Sequence, residues 1–287
     1  GAWAAGGALN TARHTAAGAG TTTAALCFGG QTGPGAPNIV GVNESYNGST
    51  WTEVNNLNTA RNLLAGGGTT TAGMAFGGNT GVAAVTDVTE SWDGTCWTEV
   101  NDLNTARQAL AGGGSTTTAI AFGGSTATHP AAPGVVTETF NGTSWTEVGD
   151  LNAPRWYIQG DGTSTTAIAA GGGAGSPPSA SALSEEWNGT AWAEGNNINT
   201  ARSSGGAAGD ASTALIFGGG YPGSAVTELY DGTSWTEVAD LSTARYDVAG
   251  TGGSAQALAM GGNPTPGVSD STEEWDKASA IKTFTAS

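Results

Sequence analysis

Large and small apolar residues alternate in short stretches that recur along the chain. Leu26 and Phe28 flank Cys27, Met74 and Phe76 flank Ala75, and Ile120 and Phe122 flank Ala121. A period of two predicts strands, because successive side chains point to opposite faces. Large residues on one face and small ones on the other suit a sheet packed between two neighbouring sheets. Each stretch runs into a Gly-Gly pair. A second strand is predicted just upstream, as at Leu63-Leu64-Ala65, and a Gly/Thr turn such as GGGTTT reverses the chain between the two. Downstream a glutamate precedes an aromatic by two residues, and a tryptophan follows that glutamate by seven. Asn-Gly or Asp-Gly lies between aromatic and tryptophan, and these dipeptides favour positive φ and tight hairpins.

These features repeat together. Six LNTAR-like segments place arginines at 13, 61, 107, 155, 202 and 245, a period of about 47 residues. Each arginine is followed by Gly-Gly 16 residues on, and each outer tryptophan precedes the next arginine by ten. Length varies only between Gly-Gly and the glutamate, so each repeat has one adjustable loop. Four antiparallel strands per repeat, six times over, predict an all-β, six-bladed β-propeller. With its arginine before the first strand, double glycine after the second and aromatic–tryptophan pair on the third and fourth, the chain resembles the Kelch family. The aromatic and tryptophan stand five residues apart, closer than usual in Kelch repeats.

The predicted propeller spans residues 1–276. Trp3 stands ten residues before Arg13, so residues 1–9 read as an outer strand. The last repeat has Glu273 and Trp275 but Ala280 where its outer tryptophan belongs. The N-terminal strand is therefore expected to complete the sixth blade, with residues 277–287 as an extra strand or a tail. The alternative is that AIKTFTA supplies that outer strand itself.

Charge narrows the partners. A formal net charge of −16 argues against nucleic acid and against an anionic membrane surface. No apolar run approaches the roughly 18 residues needed to span a bilayer. Cys27 and Cys96 fall in different repeats and read as small buried thiols. The Asn-Gly-Ser/Thr sequons at Asn47, Asn141 and Asn188 are better explained by hairpins than by glycosylation. Only two histidines are present, His14 and His129, and no metal-loop, nucleophile-elbow or phosphate-loop motif occurs. No metal or cofactor is expected.

The arginines admit two readings, an anion-binding ring or one fastener per blade. Arg13, Arg61, Arg107, Arg155, Arg202 and Arg245 are matched one for one by Glu44, Glu90, Glu138, Glu185, Glu228 and Glu273. A guanidinium binds a carboxylate in a planar fork and caps carbonyls as well, which favours the fastener. The next position differs in every repeat: His14, Asn62, Gln108, Trp156, Ser203 and Tyr246. With Tyr157 and Asp247, these residues are candidate ligand contacts on the rim that carries the variable loops, with aromatics to stack on sugar and polar groups to bind hydroxyls. The expected role is a non-catalytic binding or adhesion module for a receptor glycan or protein. The resemblance places such repeats in viral fibres or bacterial surface assemblies, hence outside the cell or on a virion, where neighbouring subunits are further partners. The alternatives are a mutarotase-like sugar enzyme using Arg and Glu on the same rim, and a structural spacer.

Overall fold

A computed structural model describes residues 1–33, 38–81, 84–127, 133–174, 179–265 and 267–277. The described residues form six four-stranded antiparallel sheets, one two-stranded pairing of Gly173–Ala174 with Ser179–Ala180, and no helix. Together the sheets make a six-bladed β-propeller. Blade 1 runs from its inner strand Ala17–Thr21 through Ala24–Phe28 and Asn43–Tyr46 to the outer strand Trp51–Val54. The inner strands of blades 2 to 6 are Ala65–Thr69, Ala111–Gly113, Gln159–Thr163, Gly206–Gly209 and Ala249–Gly253. These strands neighbour one another around the ring.

The alternation in the second strand of each blade divides its side chains between two seams. In blade 1, Leu26 and Phe28 pack toward blade 2, among Leu64, Ala75, Trp92 and Trp97. Ala25 and Cys27 face blade 6, with Tyr46, Trp51, Leu258 and Met260. Six such clusters, one per seam, make up the core. Trp97, Trp145, Trp192 and Trp3 lie edge-on against the phenylalanine of the preceding blade, as in Phe28–Trp97 and Phe76–Trp145, both 5.0 Å between centroids. Cys27 is buried, as its place in the alternation requires. Cys96 instead sits exposed beside Trp97, in the turn before the outer strand, and both thiols are free.

The ring closes on the N-terminal strand. Ala2–Ala5 pairs antiparallel with Thr272–Asp276, with Trp3 opposite Trp275. The Trp3 ring stands 4.9 Å from Phe217, and its Nε1 donates to Thr227 Oγ1 of blade 5 at 3.0 Å. Residues 278–287 lie outside the described residues, and with them the alternative AIKTFTA strand. Trp3 is only half-buried, so Trp3→Ala is expected to cost about 2–4 kcal/mol, near the lower end for an aromatic truncation. Urea denaturation measures it, and a change below about 1 kcal/mol would contradict a closing role.

Gly-Gly is the joint between blades. Both glycines have positive φ in all six blades, from +60° to +109°. A Cβ on the first would come within 2.2 to 2.8 Å of the next blade's arginine carbonyl oxygen. The N–H of the second donates to that same carbonyl at 2.9 Å in every blade. Conformation and close approach both demand glycine. In the hairpins, only the glycine of Asn-Gly takes positive φ. The asparagine stays at negative φ, and Asn47 Oδ1 instead accepts from the Ser49 and Thr50 N–H groups.

Candidate binding rim and channel

Each arginine is paired with its glutamate, while all six Nε groups stay buried without a hydrogen-bond partner. Arg107 Nη2 lies 3.1 Å from Glu138 Oε1 and donates to the Ala121 carbonyl, while Nη1 donates to the carbonyls of Gly123 and Val136. Arg61 repeats this pattern around Glu90. The pairs Arg13–Glu44, Arg155–Glu185, Arg202–Glu228 and Arg245–Glu273 stand at 3.3, 2.6, 3.0 and 2.9 Å. All twelve side chains are buried. Burial pulls the Arg61 and Arg107 guanidiniums down to about 10, with Glu90 and Glu138 opposing, so both stay charged at neutral pH. Each guanidinium is buried against its glutamate, so mutarotase-type chemistry would first require one of these pairs to open.

The glutamate also explains the asparagine of LNTAR. Glu44 Oε2 accepts from Asn10 N at 2.7 Å and from Asn10 Nδ2 at 2.8 Å, and Nδ2 also reaches the Trp51 carbonyl. The connection from one blade is thus clamped to the second, third and fourth strands of the next. Blade 6 departs from this. Ser242 donates its backbone N–H to Glu273 Oε2 but has no amide to complete the clamp. Ser242→Asn is expected to stabilise the fold by about 1 kcal/mol, the net value of an added hydrogen bond. Thermal unfolding reads the change, and no gain would mean that the clamp contributes little.

The diverse residues after each arginine have a structural partner that the sequence did not disclose. Each lies across an antiparallel bridge or hydrogen bond from the residue following Gly-Gly: His14 with Gln31, Asn62 with Asn79, Gln108 with Ser125, Trp156 with Gly173, Ser203 with Gly220 and Tyr246 with Asn263. Asn62 donates to Gln31 of blade 1 at 2.6 Å, and Gln108 accepts from Asn79 of blade 2 at 2.7 Å. Trp156 is wholly buried beside side-chain-free Gly173. Asn62, Gln108 and Trp156 therefore present no face to a hydroxyl or a sugar ring. Their variety reflects matched packing pairs between neighbours. His14, Ser203 and Tyr246 keep partial exposure. His129 lies outside the described residues.

One residue further on is a stronger feature. Thr15, Leu63, Ala109, Tyr157, Ser204 and Asp247 all have φ between +51° and +61°. Non-glycine residues rarely adopt this region, and six equivalent cases indicate a designed strain. The conformation closes a circle. Each N–H donates to the carbonyl of its counterpart in the preceding blade, at 2.6 to 3.0 Å, and Thr15 completes the circuit to Asp247. The six residues surround the channel mouth and border a depression of about 90 Å³. Asp247 Oδ2 lies 3.3 Å from His14 Nδ1. Beside the mouth, Tyr221 is 84% exposed and meets the Tyr246 ring edge-on at 5.6 Å. Sequence reading missed Tyr221, because it sits in a loop without periodicity.

Below the mouth, a channel cavity of about 460 Å³ is walled by the inner strands and is rich in glycine. Asp161 is its deepest charge. Its Oδ1 accepts from Gly162 N at 2.7 Å, and its Oδ2 from Gly209 N of blade 5 at 3.3 Å. A Cβ on Gly113 of blade 3 would fall 2.0 Å from Oδ1, so the missing side chain there makes room for the carboxylate. Desolvation pushes Asp161 up to about 7; the two N–H donors oppose this and nearby Asp210 adds to it. Among the described residues no cluster of metal-ligating side chains occurs, and no helix is long and apolar enough to cross a membrane. No protein-family model matches the chain, and no curated protein matches it.

Proposed function

We propose that this chain is a Kelch-type propeller acting as a non-catalytic recognition module, with the mouth rim as its working face. The carrying observation is the contrast between the two rims. The opposite rim repeats Gly/Thr and Asn-Gly turns, whereas the mouth rim holds the adjustable loops, the strained ring and the exposed Tyr221 beside Tyr246. With Asn62, Gln108 and Trp156 buried, few polar groups remain to read sugar hydroxyls, which favours a polypeptide receptor over a glycan. Presentation on a fibre or surface assembly fits a rigid ring that offers one rim outward.

The test is a labelled protein applied to a peptide-display library and to a glycan array. Polypeptide ligands should be captured by the wild type, lost with Tyr221→Ala/Tyr246→Ala and kept with the opposite-rim variant Thr71→Ala/Thr165→Ala. Binding to glycans alone would redirect the reading to sugar. No ligand in either format, or ligands indifferent to the mouth-rim change, would overturn it.

A further inference from the structure

The depression at the channel mouth combines an apolar wall with a single charge. Leu63, Leu64, Leu110, Ile158 and Val248 supply hydrocarbon, and Asp247 is the one charged residue in the lining. The Tyr157 phenol stands in the same wall, pushed up to about 12 by burial and by Asp247. About 90 Å³ has room for roughly three waters, or for a short alkyl chain in their place. Every arginine is buried against a glutamate, so no guanidinium on this rim reaches Asp247, whose Oδ2 has His14 Nδ1 at 3.3 Å, and the formal net charge is −16. An anion is repelled here. A neutral polyol could bond the hydroxyls of Tyr157 and Ser204 but would not neutralise Asp247.

An alkylammonium group satisfies each of these features. Its stem covers leucine and valine, as long cationic side chains cover apolar surface elsewhere. Its head reaches a carboxylate with an aromatic ring nearby, an arrangement that attracts cations. We propose that this depression binds a primary alkylammonium group, presented as a lysine side chain by a basic polypeptide partner. The proposal rests on the mouth rim being the working face and names the chemistry that the rim selects.

Amide shifts of the ring residues, followed by NMR in the intact chain, test it. The probes are n-butylammonium, n-butanol and N-acetyl-lysine-N-methylamide. Both amines are expected to shift the ring amides with millimolar affinity, and n-butanol is not. Asp247→Asn should weaken amine binding at least tenfold; asparagine tolerates positive φ, so the ring survives the change. Tyr157→Phe keeps the ring face and should weaken binding two- to threefold. Equal binding of n-butanol, or undiminished binding to Asp247→Asn, would overturn the proposal. Binding of n-butylammonium without the lysine derivative would overturn lysine as the source. A polypeptide ligand that depends on Tyr221 and Tyr246 but ignores Asp247 would defeat this inference and leave the rim reading intact.

Discussion

Glu138→Gln should lower the unfolding free energy by about 3–5 kcal/mol, the usual penalty for breaking a buried ion pair from one side. The substitution leaves the Arg107 guanidinium charged and buried without its carboxylate. An amide nitrogen in the place of Oε2 would also take away the single oxygen that accepts from Asn104 N at 2.7 Å and Asn104 Nδ2 at 2.8 Å. Against the roughly 5–15 kcal/mol that keeps a typical domain folded, this is a severe loss. Glu90→Gln should cost nearly the same, because Arg61–Glu90 has the same 3.1 Å separation and equal burial. Urea denaturation of both variants measures the effect. Costs under about 1 kcal/mol, or costs that differ widely between the two blades, would contradict the fastener reading.

Asp161→Asn should stabilise the protein at alkaline pH and do less at acid pH. The Asp161 carboxyl is pushed up from an ordinary 3.8 to about 7, so the folded state holds this proton more tightly than the unfolded chain. Stability from Asp161 is then present below about pH 4, declines as pH rises and is gone above about pH 7. Three units at about 1.36 kcal/mol each set a ceiling near 4 kcal/mol. The water-accessible channel lowers that, and about 2–3 kcal/mol is expected. Only about two of the three units are crossed between pH 5 and pH 8, so the variant's advantage should grow by about 1–2 kcal/mol over that interval in paired urea titrations. A difference that does not change with pH would show that Asp161 does not titrate in this window.

Much of the fold was legible because it rests on residues with few alternatives. Gly-Gly marks a backbone that no other residue adopts so close to the next arginine. Alternation in the second strands marks two unequal seams. Trp3, ten residues before Arg13, marked the closing strand. The site was less legible. Diversity at Asn62, Gln108 and Trp156 looked like a recognition surface, because their partners Gln31, Asn79 and Gly173 stand at a constant position after Gly-Gly but share no residue type that would mark a pairing. The strained ring left no compositional trace, since Thr, Leu, Ala, Tyr, Ser and Asp share no side-chain property. What they share is a peptide direction, and periodicity in side chains does not encode that. Asp161 was hidden for a related reason: only the inner-strand register places it beside Gly113 and Gly209.

The circle of peptide bonds at the mouth has a consequence for how the repeats depend on one another. In an open array each unit leans only on its neighbours, and the two end units fray first. A circuit in which every unit both gives and receives one bond has no end unit. Breaking any single link turns the circle into a line and creates two frayed ends at once. Amide exchange at Thr15, Leu63, Ala109, Tyr157, Ser204 and Asp247 would then report completeness as a common property, slow at all six positions or fast at all six, whichever blade is damaged.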